Sequence, residues 1–187
     1  MSKARAKRIK LVLFDVDGVM TDGKIWIFPA PAGVPGGLIE AKGFHAHDGA
    51  GISLLRHAGI KTGLITKRQS ETVALRARDL KMDHICQGIH DKRGAFEEIL
   101  AKEKLVAEDA CFVGDDLIDL PVLRICGLAI AVKNARPEVK RVAHYVTPHA
   151  GGDGAVRDAV EYVLKAQGRW KAIFESYNEA PGSASGQ

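Results

Sequence analysis

The chain has 187 residues, 46% hydrophobic and 27% charged, which suits one folded domain with an apolar core. Its net charge of +4 is explained by a short basic start that contains Lys3, Arg5, Lys7, Arg8 and Lys10. The rest is close to neutral, so the composition does not indicate a nucleic-acid-binding surface. The apolar run after the basic start is too short for a signal peptide, and no segment approaches the roughly 20 apolar residues of a membrane span. We therefore expect a cytoplasmic protein with no nucleic-acid or membrane partner.

The first predicted strand, residues 9–14, runs directly into the sequence Asp15-Val16-Asp17-Gly18. A buried strand that ends in two carboxylates places them at the sheet edge where open α/β folds bind ligands. Carboxylates this close together need a counter-charge, and Mg²⁺ suits their hard oxygen atoms. The alternative is an ordinary turn with two solvated acids, because turns favour Asp and Gly.

Two strand-like runs follow, at residues 24–28 and 38–42, and they predict a projecting β-hairpin over about 23–44. Its tip, residues 29–37, is rich in Pro and Gly. Trp26 and Phe28 would expose apolar surface in a monomer, so we expect neighbouring subunits to cover them. The alternative is a hairpin folded onto its own domain.

After the hairpin, helical and strand-like patterns alternate. The helical patterns cover residues 50–58, 69–80, 94–102, 117–125 and 137–142, and the strand-like runs cover 61–65, 84–86, 111–113 and 128–132. This alternation predicts an α/β fold, a Rossmann-like parallel sheet with helices on both faces. Residues 153–177 indicate a final amphipathic helix with a weak point at Gly168. We expect a single domain over 1–180 and a disordered tail over 181–187.

Three later positions offer groups that phosphoryl transfer requires. Thr66 follows the strand at 61–65, and its hydroxyl and neighbouring amides could hold a phosphate oxygen. Lys92 opens a helical pattern and could supply a fixed positive charge, although an isolated lysine is usually ordinary surface. A second acidic cluster follows the strand at 111–113 and contains Asp115, Asp116 and Asp119. With Asp15 and Asp17, it completes a candidate metal site.

The cysteines and histidines add no second site. Cys86, Cys111 and Cys126 form no Cys-x-x-Cys pair and lie in or beside apolar runs, which is typical of core thiols. The histidines are scattered without the spacing of zinc ligands.

These motifs, in this order and at these spacings, resemble the four motifs of the haloacid dehalogenase superfamily. They are Asp15-Val16-Asp17-Gly18, Thr66, Lys92 and residues 114–119. A narrower similarity, to the family of 3-deoxy-D-manno-octulosonate 8-phosphate phosphatases, rests on residues 17–23, 48–52, 87–88, 115–122 and 151–157. The resemblance covers roughly residues 8–168.

The resemblance implies a mechanism that the residue chemistry allows. Asp15 would be the nucleophile that forms an aspartyl-phosphate, and Asp17 would act first as general acid and then as general base. Mg²⁺ would lie between the side chain of Asp15, the backbone carbonyl of Asp17 and the side chain of Asp115. Substrate phosphate would complete that site.

The resemblance also implies supporting roles for other polar residues of these motifs. Thr66 and Lys92 would hold the non-transferring phosphate oxygens. Asp116 and Asp119 would orient metal-bound water or Lys92.

Substrate specificity depends on residues around the phosphate pocket. Arg68 and Lys67 follow Thr66 and could meet a substrate carboxylate, with Arg68 favoured as a forked donor. The alternative is two surface residues at a helix start, and Lys67 stands where the family usually has glycine. His47 lies in the segment before Asp48-Gly49, which approaches the active site in the resembling family. The loop 151–154 could reach a neighbouring site or simply lead into a helix.

The implied function is a Mg²⁺-dependent phosphatase for a phosphosugar acid, most simply 3-deoxy-D-manno-octulosonate 8-phosphate. A related nine-carbon keto-acid phosphate is the alternative substrate. Two other classes stay open: a non-catalytic regulatory or oligomerisation module, and a phosphoacceptor signalling domain. No gap is long enough for the cap domain common in the superfamily. The resemblance therefore implies a capless core in a homotetramer, where a neighbouring subunit caps each site.

Overall fold

The computed structural model describes residues 2–31, 33 and 37–178. The strands are β1 (Leu11–Phe14), β2 (Trp26–Pro29), β3 (Leu38–Ala41), β4 (Lys61–Ile65), β5 (His84–Cys86), β6 (Ala110–Gly114), β7 (Leu128–Ala131) and β8 (Tyr145–Val146). The helices are α1 (Ser2–Ala6), α2 (Ala46–His57), α3 (Glu71–Asp79), α4 (Lys92–Glu103), α5 (Leu120–Leu123), α6 (Pro137–Val142), α7 (Ala155–Ala166) and α8 (Trp170–Asn178). Two short 3₁₀ turns cover Ala107–Asp109 and Leu117–Asp119.

Six strands form one parallel sheet in the order β5-β4-β1-β6-β7-β8. The first strand lies near the centre, paired with β4 on one side and β6 on the other. Every residue of β1, β6 and β7 is buried, as expected for strands covered on both faces. The predicted α/β fold with a Rossmann-like parallel sheet and helices on both faces is confirmed.

The helix α7 shows how the outer layer is held to the core. Its buried side chains recur every three or four residues, from Val156 through Val160 to Val163 and Leu164. This spacing gives one apolar stripe along the helix. Gly51 of α2 lies against the backbone and side chain of Arg157, so the two helices approach closely.

The hairpin forms a separate two-stranded antiparallel sheet in which Trp26 is opposite Ala41. All four residues of β2 are exposed. The projecting hairpin that the sequence predicts is therefore present, and its strands do not join the parallel sheet. The predicted tip falls partly outside the described residues.

The structure differs from the sequence prediction mainly at element ends. Helix α2 begins at Ala46, four residues before the predicted start. The helix predicted over 117–125 is a 3₁₀ turn, capped by the Asp116 side chain, followed by the short helix α5. The final helix is divided into α7 and α8 near Gly168, whose φ is +71°. The short elements α1 and β8 were not predicted.

The tail predicted over 181–187 lies outside the described residues. Within the described ranges, no helix combines the length and the apolar character required to cross a bilayer.

Candidate active site

Three adjacent strands of the sheet end in the polar residues that the sequence singles out. Asp15 follows β1, Thr66 follows β4 and Asp115 follows β6. Because the strands are parallel and neighbouring, their carboxyl ends meet at one edge. Asp15 and Thr66 are both buried there, and a buried carboxylate such as that of Asp15 normally requires a partner.

Lys92, the first residue of α4, supplies the positive charge at this edge. Its Nζ lies 2.8 Å from Asp15 Oδ1 and 2.7 Å from Asp119 Oδ1, and all three side chains are buried. Burial opposes the lysine charge, but the two facing carboxylates outweigh it and raise the pKa of Lys92. Burial and the nearby Asp119 raise the pKa of Asp15 to about 6, although Lys92 acts in the opposite direction.

Asp119 is held in place by the backbone that precedes it. Its Oδ2 accepts hydrogen bonds from the Asp115 N–H at 2.9 Å and the Asp116 N–H at 3.3 Å. Gly114 allows this close turn, since a Cβ there would lie 2.6 Å from Asp119 Oδ2. The Asp116 side chain is exposed and accepts from the Leu117 N–H. The structure therefore brings Asp119 to Lys92, whereas Asp116 caps the turn.

The carboxylates of Asp15 and Asp115, with Asp119 beside them, form a cluster that can hold a cation. One oxygen atom from each lies within 4.8 Å of the others. Asp115 Oδ1 is buried and has no hydrogen-bond partner among the described residues. Burial, together with the neighbouring carboxylates, raises the pKa of Asp115 to about 8. A hard divalent cation such as Mg²⁺ fits this set of oxygen donors and would satisfy the unpartnered atom.

Asp17 lies on the hairpin side of the site. Its Oδ1 contacts Lys42 Nζ, and its Oδ2 lies 3.8 Å from Arg68 Nε. Lys42 directly follows β3, and no motif marks it in the sequence. The only feature of the sequence that could have pointed to Lys42 is its position at the end of a hairpin strand that begins with Leu38 and Ile39.

The three candidate substrate residues lie in different settings. Arg68 is half-exposed at the mouth of the site, and its Nη2 bonds to Glu40 Oε2 at 2.7 Å. Lys67 is exposed. His47 is also exposed and packs edge-on against His45, with ring centroids 5.0 Å apart.

The loop before α7 packs on the loop that carries Asp17. Asn134 joins the two, since its Nδ2 donates to Gly18 O at 3.0 Å and its Oδ1 accepts from Gly151 N–H at 2.7 Å. Gly152 N–H donates to Val19 O at 3.2 Å. The loop at 151–154 therefore supports the first motif of its own chain as it leads into α7.

Gly151→Ala is expected to destabilise the fold through this contact. A Cβ at residue 151 would lie 1.8 Å from Gly18 O, so backbone must move, at a cost on the order of 2–3 kcal/mol. Gly43→Ala is the matched control, because no atom lies within 4 Å of its Cβ position, and we expect a change of about 0.5 kcal/mol or less. Urea denaturation measures both. Equal midpoints for the two variants would contradict the close approach.

Comparison with known proteins agrees with this fold. Residues 55–159 match the profile of the haloacid dehalogenase-like hydrolases. The chain therefore belongs to the haloacid dehalogenase-like hydrolase family.

Similar proteins of known activity show to which group within this family the chain belongs. The 3-deoxy-D-manno-octulosonate 8-phosphate phosphatase of Yersinia pestis is 42% identical over 87% of this chain and 83% of its own length. The enzyme of the same name from Escherichia coli K12 is 40% identical over 89% of this chain and 85% of its own. These relatives place the chain among the 3-deoxy-D-manno-octulosonate 8-phosphate phosphatases.

Solved structures give the same result. The Moraxella catarrhalis 3-deoxy-D-manno-octulosonate 8-phosphate phosphatase, solved with magnesium ion, phosphate ion and a KDO molecule, superposes with a TM-score of 0.87 at 36% identity. That match covers 94% of this chain and 97% of the other. A probable YrbI-family phosphatase from Pseudomonas syringae has a TM-score of 0.88 at 40% identity, covering 95% and 97% of the two chains.

Proposed function

We propose that this protein is a Mg²⁺-dependent phosphatase that hydrolyses 3-deoxy-D-manno-octulosonate 8-phosphate to 3-deoxy-D-manno-octulosonate and inorganic phosphate. The observation that carries the proposal is the buried cluster in which Lys92 bonds to Asp15 and Asp119, with Asp115 beside them. Relatives that match most of this chain, in sequence or in structure, bear the name of that activity.

In the first step, an Asp15 carboxylate oxygen attacks phosphorus in line with the bond to the sugar oxygen. That bond breaks as the new one forms, and Asp17 gives its proton to the departing sugar oxygen. The products of this step are the free sugar acid and an aspartyl-phosphate on Asp15. Thr66 and Lys92 hold non-bridging oxygens of the phosphoryl group as it passes to Asp15.

In the second step, Asp17 takes a proton from a water molecule as that water attacks the phosphorus of the aspartyl-phosphate. The bond to Asp15 breaks, inorganic phosphate leaves, and both aspartates return to their starting states. One carboxyl serves both steps because its proton is lost in the first and regained in the second.

The side chains of Asp15 and Asp115 and the backbone carbonyl of Asp17 would hold Mg²⁺. When bound, the cation supplies the positive charge that lets an anionic phosphate approach these carboxylates. Asp119 supports the site indirectly, since its oxygens are occupied by Lys92 and by two backbone amides.

The sugar end of the substrate carries a carboxylate, and Arg68 is the residue proposed to receive it. Its side chain is half-exposed beside Asp17 and is held there by Glu40. A guanidinium can pair with a carboxylate through two parallel hydrogen bonds. Lys67 and His47 are the proposed additional contacts, with lesser roles.

Phosphate release from 3-deoxy-D-manno-octulosonate 8-phosphate, measured beside a panel of phosphosugars with and without Mg²⁺, tests the proposal. We expect strong preference for this acidic phosphosugar and loss of release in chelator, restored by added Mg²⁺. Preference for a nine-carbon keto-acid phosphate would mean that this compound is the substrate instead. Weak, indiscriminate turnover would leave a phosphatase but contradict the proposed substrate. No turnover would favour a regulatory module, and a long-lived aspartyl-phosphate would favour a signalling domain.

We further propose a cytoplasmic homotetramer of single-domain subunits (residues 1–180) in which hairpins associate and a neighbour caps each site. The hairpin supports this because it exposes large apolar side chains, with Trp26 56% and Leu38 65% exposed. Contiguous apolar surface of this kind usually marks an interface.

Light scattering at micromolar concentration measures the assembly, and we expect four times the chain mass. Leu38→Ser should lower that mass, because it places a hydroxyl in the proposed interface. Leu75→Ser is the matched control, since Leu75 is 61% exposed on α3 and should leave the mass unchanged. A wild-type monomer would refute the tetramer.

A further inference from the structure

Lys42 is a second buried lysine beside the site, and the mechanism above does not use it. Its side chain is fully buried, and its Nζ contacts Asp17 Oδ1 and lies 3.8 Å from Glu40 Oε1. A buried ammonium is costly unless it is paired. Asp17 is the partner in closest contact, so the packing of the hairpin base holds a positive charge against this carboxyl.

The other cations near Asp17 do not occupy this place. Arg68 Nε is 3.8 Å from the opposite oxygen, Oδ2, and the half-exposed Arg68 is bonded to Glu40. Lys92 is bonded to Asp15 and Asp119. Each of these two buried lysines therefore contacts one aspartate of the first motif. Lys92 contacts Asp15, and Lys42 contacts Asp17.

The contact determines which oxygen of Asp17 can carry a proton. An ammonium group has three donors and no acceptor, so the oxygen that faces it must act as an acceptor. Oδ1 faces Lys42 and accepts. The proton that Asp17 delivers to the sugar oxygen must then reside on Oδ2.

We propose that Lys42 is a positioning residue that fixes the Asp17 carboxyl with Oδ1 bound and Oδ2 directed to the leaving group. This inference rests on the proposed function, because it assigns Lys42 a part in the same phosphoryl transfer. When the bond between phosphorus and the sugar oxygen breaks, the proton on Oδ2 passes to that oxygen. Lys42 takes no part in the proton transfer and acts only by holding the carboxyl.

The same contact links the hairpin to the chemistry. Lys42 follows β3, and β3 is tied to α3 because Glu40 O accepts from Thr72 Oγ1 at 3.2 Å. Glu40 also bonds to Arg68 through its side chain. A displacement of the hairpin would therefore carry Lys42 away from Asp17.

Lys42→Met tests the proposal through two substrates that differ in their need for a proton. A sugar alkoxide leaves poorly unless it is protonated, whereas 4-nitrophenolate leaves readily without a proton. We expect kcat/KM for 3-deoxy-D-manno-octulosonate 8-phosphate to fall about 30- to 100-fold, at or just below the lower end of the effect of general acid catalysis, because Asp17 itself remains. For 4-nitrophenyl phosphate, the same variant should lose about threefold or less, because kcat/KM covers only the steps up to alcohol release.

Two controls separate positioning from other roles. Lys24→Met removes another hairpin lysine, which is exposed and paired with Asp22 at 2.9 Å, and it should leave both substrates unchanged. Inhibition by inorganic phosphate should be unaltered in Lys42→Met. Lys42→Gln, which keeps a neutral donor, should show a smaller loss with the same substrate bias and serves if the Met variant does not fold.

Equal losses on both substrates, or a weakened affinity for inorganic phosphate, would overturn the proposal and make Lys42 a phosphate ligand or a purely structural residue. Failure of the proposed function has a different signature. In that case the wild-type protein itself would release no phosphate from the phosphosugar.

Discussion

Replacing Asp15 by asparagine is expected to abolish phosphate release while the protein stays folded. An amide cannot attack phosphorus to form the acyl-phosphate, so the first step has no nucleophile. We expect kcat to fall by about 10⁴-fold or more, which is the scale seen when a catalytic nucleophile is removed. Phosphate release from the phosphosugar measures the loss.

The fold should tolerate this substitution. Lys92 would keep its contact with Asp119 at 2.7 Å, and the backbone N–H of residue 15 would still donate to Val113 O. The melting midpoint should therefore change by about 4 °C or less. Asp79→Asn, on the exposed surface of α3, is the control and should retain full activity.

Acid quenching distinguishes a lost nucleophile from a disturbed site. Wild-type protein mixed with labelled substrate should retain covalent phosphate, and the Asp15→Asn variant should retain none. Retention of more than about a tenth of the wild-type rate by that variant would mean that another group attacks phosphorus.

Lys92→Met is expected to cause the largest loss of stability among the site variants. It leaves the buried carboxylates of Asp15 and Asp119 facing each other without their shared counter-charge. Removing one partner from a buried charge cluster costs about 3–5 kcal/mol of unfolding free energy. Urea denaturation in chelator measures this, and phosphate release should be lost as well.

A matched lysine on the surface gives the comparison. Lys61 pairs with Asp83 at the same distance, 2.8 Å, but its side chain is 49% exposed. Lys61→Met should therefore cost about 1 kcal/mol or less. Adding Asp119→Asn to Lys92→Met should recover part of the loss, because one uncompensated charge is removed. Similar costs for the two lysine substitutions would show that burial does not govern the Lys92 cluster.

The sequence was sufficient to predict the parallel sheet, apart from its short edge strand β8, and the strand ends that carry its polar residues. The strands at 61–65 and 84–86 have the predicted bounds, because each is a short apolar run with clear turn residues around it. Once a parallel sheet is predicted, the residues that follow neighbouring strands must lie close together. Asp15, Thr66 and Asp115 therefore could be brought to one edge by reasoning alone.

Contacts that join distant segments could not be predicted in this way. Lys42 reaches Asp17 because the hairpin folds back over the first loop, and its identity as a strand-end lysine says nothing about that packing. The role of Asn134 is similar, since it joins Gly18 to Gly151 across the molecule. Local periodicity determines elements, whereas such contacts depend on how the elements are assembled.

Hydrophobic periodicity also did not predict where every helix begins and ends. The start of α2 at Ala46 adds a polar first turn that has no apolar repeat. The break between α7 and α8 could be predicted from the sequence, because glycine at 168 readily adopts the left-handed conformation found there. Boundaries are thus predictable where a special backbone conformation requires a special residue.

The central position of β1 has a consequence for how the molecule is made. This strand leaves the ribosome before both of its partners, because β4 and β6 lie about fifty and about a hundred residues later in the chain. During synthesis both edges of β1 stay unpaired until these partners have been made, and unpaired apolar edges are prone to aggregation. The pocket around residue 15 therefore forms late, and a nascent chain that stops before β6 has neither a complete sheet nor a complete site.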